Sequence, residues 1–229
     1  MNGPRIAVVF NQTADLGIHQ ETVIPSLQAY VDLWLTPEWG VTAELYQAAN
    51  VTDGEWALIF ADNSDQAQAL GYHDLEGTAP RGYCFVQSSD QANEPVSVTA
   101  SHELAEMLLD PACNLGAYTP RGRWIAREIC DPVQGTTVSV NGIPMANFVL
   151  PSWYGAGATP FDAAQACTQP WEIVQGGYVP VWDGQNWSPL FGSDDAAFNY
   201  RRAGKAGRLR RGGRRNRRPT EKTARSILA

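Results

Sequence analysis

Residues 99–111, Thr99-Ala100-Ser101-His102-Glu103-Leu104-Ala105-Glu106-Met107-Leu108-Leu109-Asp110-Pro111, decide how the rest of the chain is read. On an α-helix, residues four apart lie about 40° apart around the axis, so His102 and Glu106 leave one face together and can grip one ion. Glu103 stands beside them. In the HExxH motif two histidines bind zinc and the glutamate acts as general base on the metal-bound water; here a carboxylate takes the second ligand position, giving HExxE. The same letters occur on ordinary solvated helices, so support has to come from elsewhere in the chain.

Three features supply it. Leu104, Ala105, Leu108 and Leu109 give the helix apolar packing, which keeps the acidic residues from all facing bulk water. A second carboxylate cluster follows at Glu128-Ile129-Cys130-Asp131-Pro132, after a loop long enough to fold back over the helix. A catalytic zinc site also needs three protein ligands and one open position, and His102 with Glu106 supplies two. Glu128 is the choice for the third, with Asp131 as the alternative or as a group that orients a ligand. Asp110, two turns beyond His102, reads either as a ligand or orienting group or as a turn residue before Pro111. His19 and His73 fall in segments that read as loops and rank below these.

Outward from the helix, Arg5–Asn11 (RIAVVFN) is a β-branched apolar run expected to form a buried opening strand. A helix is predicted over Glu21–Leu35, where Val23, Ile24, Leu27, Tyr30, Val31, Trp34 and Leu35 recur at spacings of three and four, with Pro37 ending it. Val41–Gln47, Trp56–Ala61 and Tyr83–Gln87 read as strands, Asp65–Leu70 as a polar helical stretch, and GYHDLEGTAPRG (71–82) as a loop. The motif helix is expected from about Val98 to Leu109, capped by Ser97 or Thr99 and stopped by Asp110-Pro111. Beyond it the chain is rich in Gly, Pro and Trp, with a hairpin turn at Asn141-Gly142 between TTVSV and IPMANFVL and a strand-like region VQGGYVPVWDGQNW. The expected architecture is α+β: residues 1–111 as sheet plus site helix, 112–200 as an irregular β-rich half of the same domain, and 201–229 as a basic, disordered tail.

Charge divides the chain. Residues 1–200 hold five basic and 23 acidic residues, whereas 201–229 hold 12 basic residues and one acid, Glu221. The tail therefore reads as a contact for nucleic-acid phosphates or for an acidic protein surface, or as a solubilising segment. No aromatic residue interleaves its arginines, which argues against base stacking. At 229 residues and 44% hydrophobic content the chain can bury a substantial core. Without an apolar run of about 18 residues or a secretory leader in MNGPRIAVVFNQ, the expectation is no membrane and a cytoplasmic location, with association to a virion as the variant. Cys84, Cys113, Cys130 and Cys167 carry no CxxC spacing and read as buried thiols; Cys113 and Cys130 flank the motifs and are the pair that could meet as a disulfide or as metal ligands.

Taken together, SHELAEMLLDP (101–111), REICDPV (127–133), NGIPMANFVLPSWY (141–154) and GGYVPVWDGQNW (176–187) resemble a group of uncharacterised bacterial and phage proteins with an SHExxE…DP…E(I/V)xDP pattern. GYHD (71–74) fits as well. The first two blocks are similar to those of the EXORDIUM family, in which an SHExxE helix precedes an EIxDxC segment. The resemblance, over roughly 70–187, implies a zincin-like fold in which a mixed twisted sheet packs on an active-site helix. It lacks the second histidine and the HExxHxxGxxH continuation of better-known zincins.

The resulting expectation is a zinc-dependent hydrolase of HExxE type, a metallopeptidase acting on peptide or protein, with His102, Glu106 and Glu128 as ligands and Glu103 as base. Its oxygen-rich donors also suit another divalent ion such as Mn²⁺ or Ca²⁺. The competing expectation is a catalytically silent structural or interaction protein, for example a phage particle component, with a stabilising metal site. Trp153, Trp171, Trp182 and Trp187 suit a cleft, an assembly surface or a core equally.

Overall fold

A computed structural model describes residues 3–66, 69–155 and 157–193; the basic tail read at 201–229 lies outside them. The chain is a mixed α+β protein whose backbone divides into two compact units, Met1–Pro111 with Thr137–Ala146, and Ala112–Thr136 with the described residues from Asn147 onward.

The first unit is built on a five-stranded mixed sheet in the order β2-β1-β3-β5-β4, formed by β1 (Arg5–Phe10), β2 (Glu44–Ala48), β3 (Trp56–Ala61), β4 (Gly71–Glu76) and β5 (Ala79–Phe85). The pairs β1·β2, β1·β3 and β3·β5 are parallel, and β4 returns antiparallel to β5. Strand β1 lies inside the sheet and its residues Ile6, Ala7 and Val8 are fully buried, as expected of a β-branched run in a parallel sheet covered on both faces. The predicted helix over 21–35 is longer and less regular. It comprises α1 (Gln20–Tyr30), a π-helical segment Val31–Leu35, and the short α2 (Thr36–Trp39). Pro37 does not end it, because proline is tolerated in the first turn of α2; Gly40, left-handed at φ 66°, does.

Two further expectations are corrected. The segment 71–82 lies in a β-hairpin turning at Gly77 (φ 65°), so β5 begins at Ala79, and the expected strand residues Val86 and Gln87 instead open the helix α3 (Val86–Gln91). None of the described residues of 65–70 is helical.

The motif helix is α4 (Val96–Leu109), starting after Pro95. Neither Ser97 nor Thr99 caps it: Ser97 donates its hydroxyl to the Pro144 carbonyl oxygen (2.7 Å), and the Thr99 hydroxyl pairs with that of Ser89 (3.0 Å). Every residue of α4 except His102 is buried, the pattern of a helix enclosed on all sides. It packs against β4 and β5, and against the hairpin of β8 (Thr137–Val140) and β9 (Ile143–Ala146). That hairpin turns through Asn141 (φ 53°) and Gly142 (φ 81°), the pair of left-handed residues a type I′ turn needs.

The second unit carries an antiparallel sheet in the order β11-β10-β7-β6, from β6 (Gly116–Tyr118), β7 (Trp124–Ala126), β10 (Tyr178–Trp182) and β11 (Trp187–Phe191). Its aromatics serve mainly as core: Trp124 and Trp187 pack with Ala126, and the Trp153 indole N–H donates to the Glu172 carbonyl oxygen (2.7 Å). Buried Asp162 accepts from the Asn147 side-chain amide (2.7 Å) and from the backbone N–H of Cys167 (2.7 Å), fixing the 162–167 loop. Among the described residues, no helix is long and apolar enough to cross a membrane.

Ser101 joins α4 to the hairpin. Fully buried, its hydroxyl donates to the Ser97 carbonyl oxygen (2.7 Å) and accepts from the Ala146 backbone N–H (2.8 Å). Ser101→Ala strands that buried N–H, at a cost of about 1–3 kcal/mol. Thermal unfolding followed by circular dichroism should show Tm lower by roughly 2–12 °C for a domain of this size; an unchanged Tm would refute the role of this hydroxyl.

Candidate metal centre

Strands β4 and β5 and helix α4 together position the acidic residues. The hairpin register pairs Gly71 with Cys84 and His73 with Gly82. Cross-strand partners share a face, and residues two apart on a strand share it too, so Gly71, His73, Gly82 and Cys84 all point the same way, towards α4. Glu103 is the helix residue they meet. A Cβ added at Gly71 would fall 2.8 Å from both Cγ and Oε1 of Glu103 and 2.7 Å from the Tyr83 carbonyl oxygen. One added at Gly82 would fall 3.7 Å from the Glu103 Cβ and 2.8 Å from a Leu58 methyl. The missing side chain of Gly71 thus leaves space that Glu103 fills, whereas that of Gly82 makes room for Leu58.

His73 is 1% exposed and lies between that carboxylate and the next. Its Nδ1 is 3.5 Å from Glu103 Oε2 and 3.9 Å from Glu106 Oε2, and its Nε2 is 3.3 Å from the Asp110 carbonyl oxygen. A carbonyl oxygen only accepts, so Nε2 carries the proton and donates it there. His102, the one partly exposed residue of the helix, brings its Nε2 to 3.3 Å from Glu106 Oε1. Glu106 therefore turns one oxygen to each imidazole. One donor atom from each of His73, Glu103 and Glu106 lies within 4.8 Å of the others, close enough for all three to reach one ion.

The structure brings His102 and Glu106 together and puts Glu103 in contact range of His73, a residue that sequence reasoning set aside. Asp110 contributes its backbone: fully buried at the C-terminal end of α4, it donates its N–H to the Glu106 carbonyl oxygen (2.7 Å) and offers its own carbonyl oxygen to His73. Glu128 and Asp131 belong to the second unit, both buried, with Asp131 opening a short 3₁₀ turn over Asp131–Val133. His19 lies exposed before α1, 3.8 Å from Glu21. The signal for His73 was the alternation Gly71-x-His73, a period of two that the glycines and proline of 71–82 disguised as loop.

All four cysteines are buried free thiols, as their spacing suggests, and Cys113 and Cys130 form no disulfide. Burial, reinforced by the charge of Glu103, pushes the Cys84 thiol well above the ordinary range. Burial and then the charge of Asp162 push Cys167 up to about 12. Neither is a thiolate near neutral pH.

Gly71→Ala tests the cradle. With a backbone oxygen at 2.7 Å on one side the new methyl can be accommodated only by displacing Glu103, and overpacking of this kind costs about 1–3 kcal/mol. The expected result is a lower Tm in thermal unfolding; a variant as stable as the wild type shows that Gly71 is not there to make room. No protein-family model, no curated protein and no solved structure matches the chain.

Proposed function

We propose that the chain is a metal-dependent hydrolase, a zinc metallopeptidase of HExxE type with a zincin-like fold. The observation that carries this reading is the convergence of His73, His102, Glu103 and Glu106 on two turns of an otherwise enclosed helix, with Glu103 at 7% and Glu106 at 4% exposure. Two carboxylates held this close in an interior repel one another, and a divalent cation relieves that cost more fully than hydrogen bonds do. A mixed sheet laid against the helix that bears the motif is the arrangement the zincin-like resemblance implies.

In this reading His102 and Glu106 hold the ion from one helix face. The sequence supplies Glu128, or Asp131, as the third ligand. When bound, zinc lowers the pKa of a coordinated water towards neutrality and polarises the scissile carbonyl. Glu103 would serve as the general base beside the ion. Carboxylate donors in place of a second imidazole add negative charge and hardness to the position, so Mn²⁺ and Ca²⁺ compete there with Zn²⁺.

One observation favours a second reading, a catalytically silent protein with a stabilising metal site: His73 and Glu103 are nearly closed to solvent, and catalysis needs an open coordination position. Two variants separate the readings. His102→Ala should lower the metal content of purified protein measured by elemental analysis, and an unchanged load would sink the ion assigned to His102 and with it the hydrolase reading. Glu103→Gln should keep the ion on His102 and Glu106 while losing peptide hydrolysis by about 10²-fold or more. If hydrolysis of an unstructured protein such as casein is undetectable in wild type and variant alike, the silent reading wins.

The tail 201–229, with 12 basic residues and one acid, is proposed to contact nucleic-acid phosphates, with an acidic protein surface as the alternative. Binding to a random DNA duplex should weaken steeply between about 50 and 200 mM salt and vanish when the chain is cut after Tyr200. Binding retained by the truncated chain would contradict this.

A further inference from the structure

Glu106 presents its two oxygens in two directions. Oε1 faces His102 Nε2 at 3.3 Å and Oε2 faces His73 Nδ1 at 3.9 Å, while Glu103 Oε2 lies 3.5 Å from the same His73 nitrogen. We infer that the sheet side of Glu106 is a second divalent-cation position, formed by His73 Nδ1, Glu103 and Glu106, and that the Glu106 carboxylate bridges it to the ion on His102. The inference rests on the hydrolase reading for the first ion and goes beyond it in the second.

Four features of this corner fit a cation. The separations of 3.5 and 3.9 Å are long for hydrogen bonds. They are close to the edges of a tetrahedral site, about 3.3–3.5 Å for metal–ligand bonds of about 2.0–2.2 Å, so small side-chain adjustments suffice. The Asp110 carbonyl holds the proton of His73 on Nε2, which aims the lone pair of Nδ1 at the carboxylates; an outer partner of this kind is what orients a ligating histidine. Gly71 makes room for Glu103 from the opposite side, so His73 and Glu103 each have their own support. Finally, a carboxylate bridge places two ions at about 3.5–4 Å, the spacing at which a pair of cations clamps both the attacking and the leaving atoms of a hydrolysis. The N,O,O donor set suits Zn²⁺ and Mn²⁺ better than a thiophilic ion.

The second position gives Glu103 a ligand role through Oε2, so Glu103→Gln should lose one ion as well as turnover while keeping the ion on His102. The test is metal stoichiometry of the full chain. Protein stripped with EDTA is titrated with Zn²⁺ and, separately, with Mn²⁺; bound metal is counted by elemental analysis and folding is checked by circular dichroism. Wild type should bind two equivalents, and His73→Ala, Glu103→Gln and His102→Ala should each bind one. Because His73 is deeply buried and its alanine variant risks unfolding, Glu103→Gln, nearly isosteric, carries the test by itself. One equivalent in wild type that His102→Ala abolishes and neither His73→Ala nor Glu103→Gln alters overturns the second position and leaves the hydrolase reading standing. A load that His102→Ala leaves intact and His73→Ala or Glu103→Gln removes upholds the His73 position and overturns the ion assigned to His102. A wild type that binds neither metal overturns both.

Discussion

The first unit is organised around the burial of two carboxylates, Glu103 and Glu106, one turn apart on a helix whose other residues are almost all apolar or small. An ionised carboxylate taken out of water costs several kcal/mol unless paired or coordinated. Much of the local structure answers that cost. Gly71 opens the β4–β5 face where Glu103 lies, His73 reaches both acids from β4, and the Asp110 carbonyl at the end of α4 sets the orientation of that histidine. The β8–β9 hairpin, tied to α4 through Ser101, closes another side of the same helix. Sheet, helix and hairpin thus have a common task, which is to hold charged groups where solvent does not.

The elements read correctly from sequence are those whose pattern is local. Arg5–Phe10 announces itself as an apolar β-branched run, α4 as a periodic helix stopped at Asp110-Pro111, though without the Ser97 or Thr99 cap expected of it, and β8–β9 as two alternating strands around Asn-Gly. What failed was the stretch 71–82. Glycine and proline are ordinarily punctuation, and GYHDLEGTAPRG holds three glycines and a proline. One of those glycines, Gly71, is a strand residue whose missing side chain makes room for a glutamate more than 30 positions further on. A single sequence shows the glycine; only the pairing of Gly71 with Cys84 and the approach of Glu103 show the reason for it. Losing β4 as a strand also lost His73, since a histidine in a loop carries no direction, whereas on β4 it shares a face with Gly71.

The site itself was half legible. The i, i+4 spacing fixes His102 against Glu106, and the structure gives 3.3 Å between them. Glu103 was read as a base next to an ion on that face. Adjacent helix residues, however, point about 100° apart, and Glu103 accordingly turns to the sheet, where its neighbours are His73 and the buried Cys84 thiol. The motif letters specify which side chains are present; the sheet specifies which way each of them looks. The second carboxylate cluster, Glu128 to Asp131, was legible as sequence and belongs to the second compact unit, a division that no composition shift at Thr137 or Ala146 betrays.

Burial of this kind couples chemistry to stability. Ligands gathered in an enclosed interior exist as a set only when the chain is folded, so the free energy of binding a cation there is available to the folded state and absent from the unfolded one. The same enclosure lowers the local dielectric and strengthens each ion–carboxylate contact. Leu104, Ala105, Met107, Leu108 and Leu109 are all buried and give the helix its apolar packing. The apolar face secures the fold and thereby frees the acidic one to be arranged for binding.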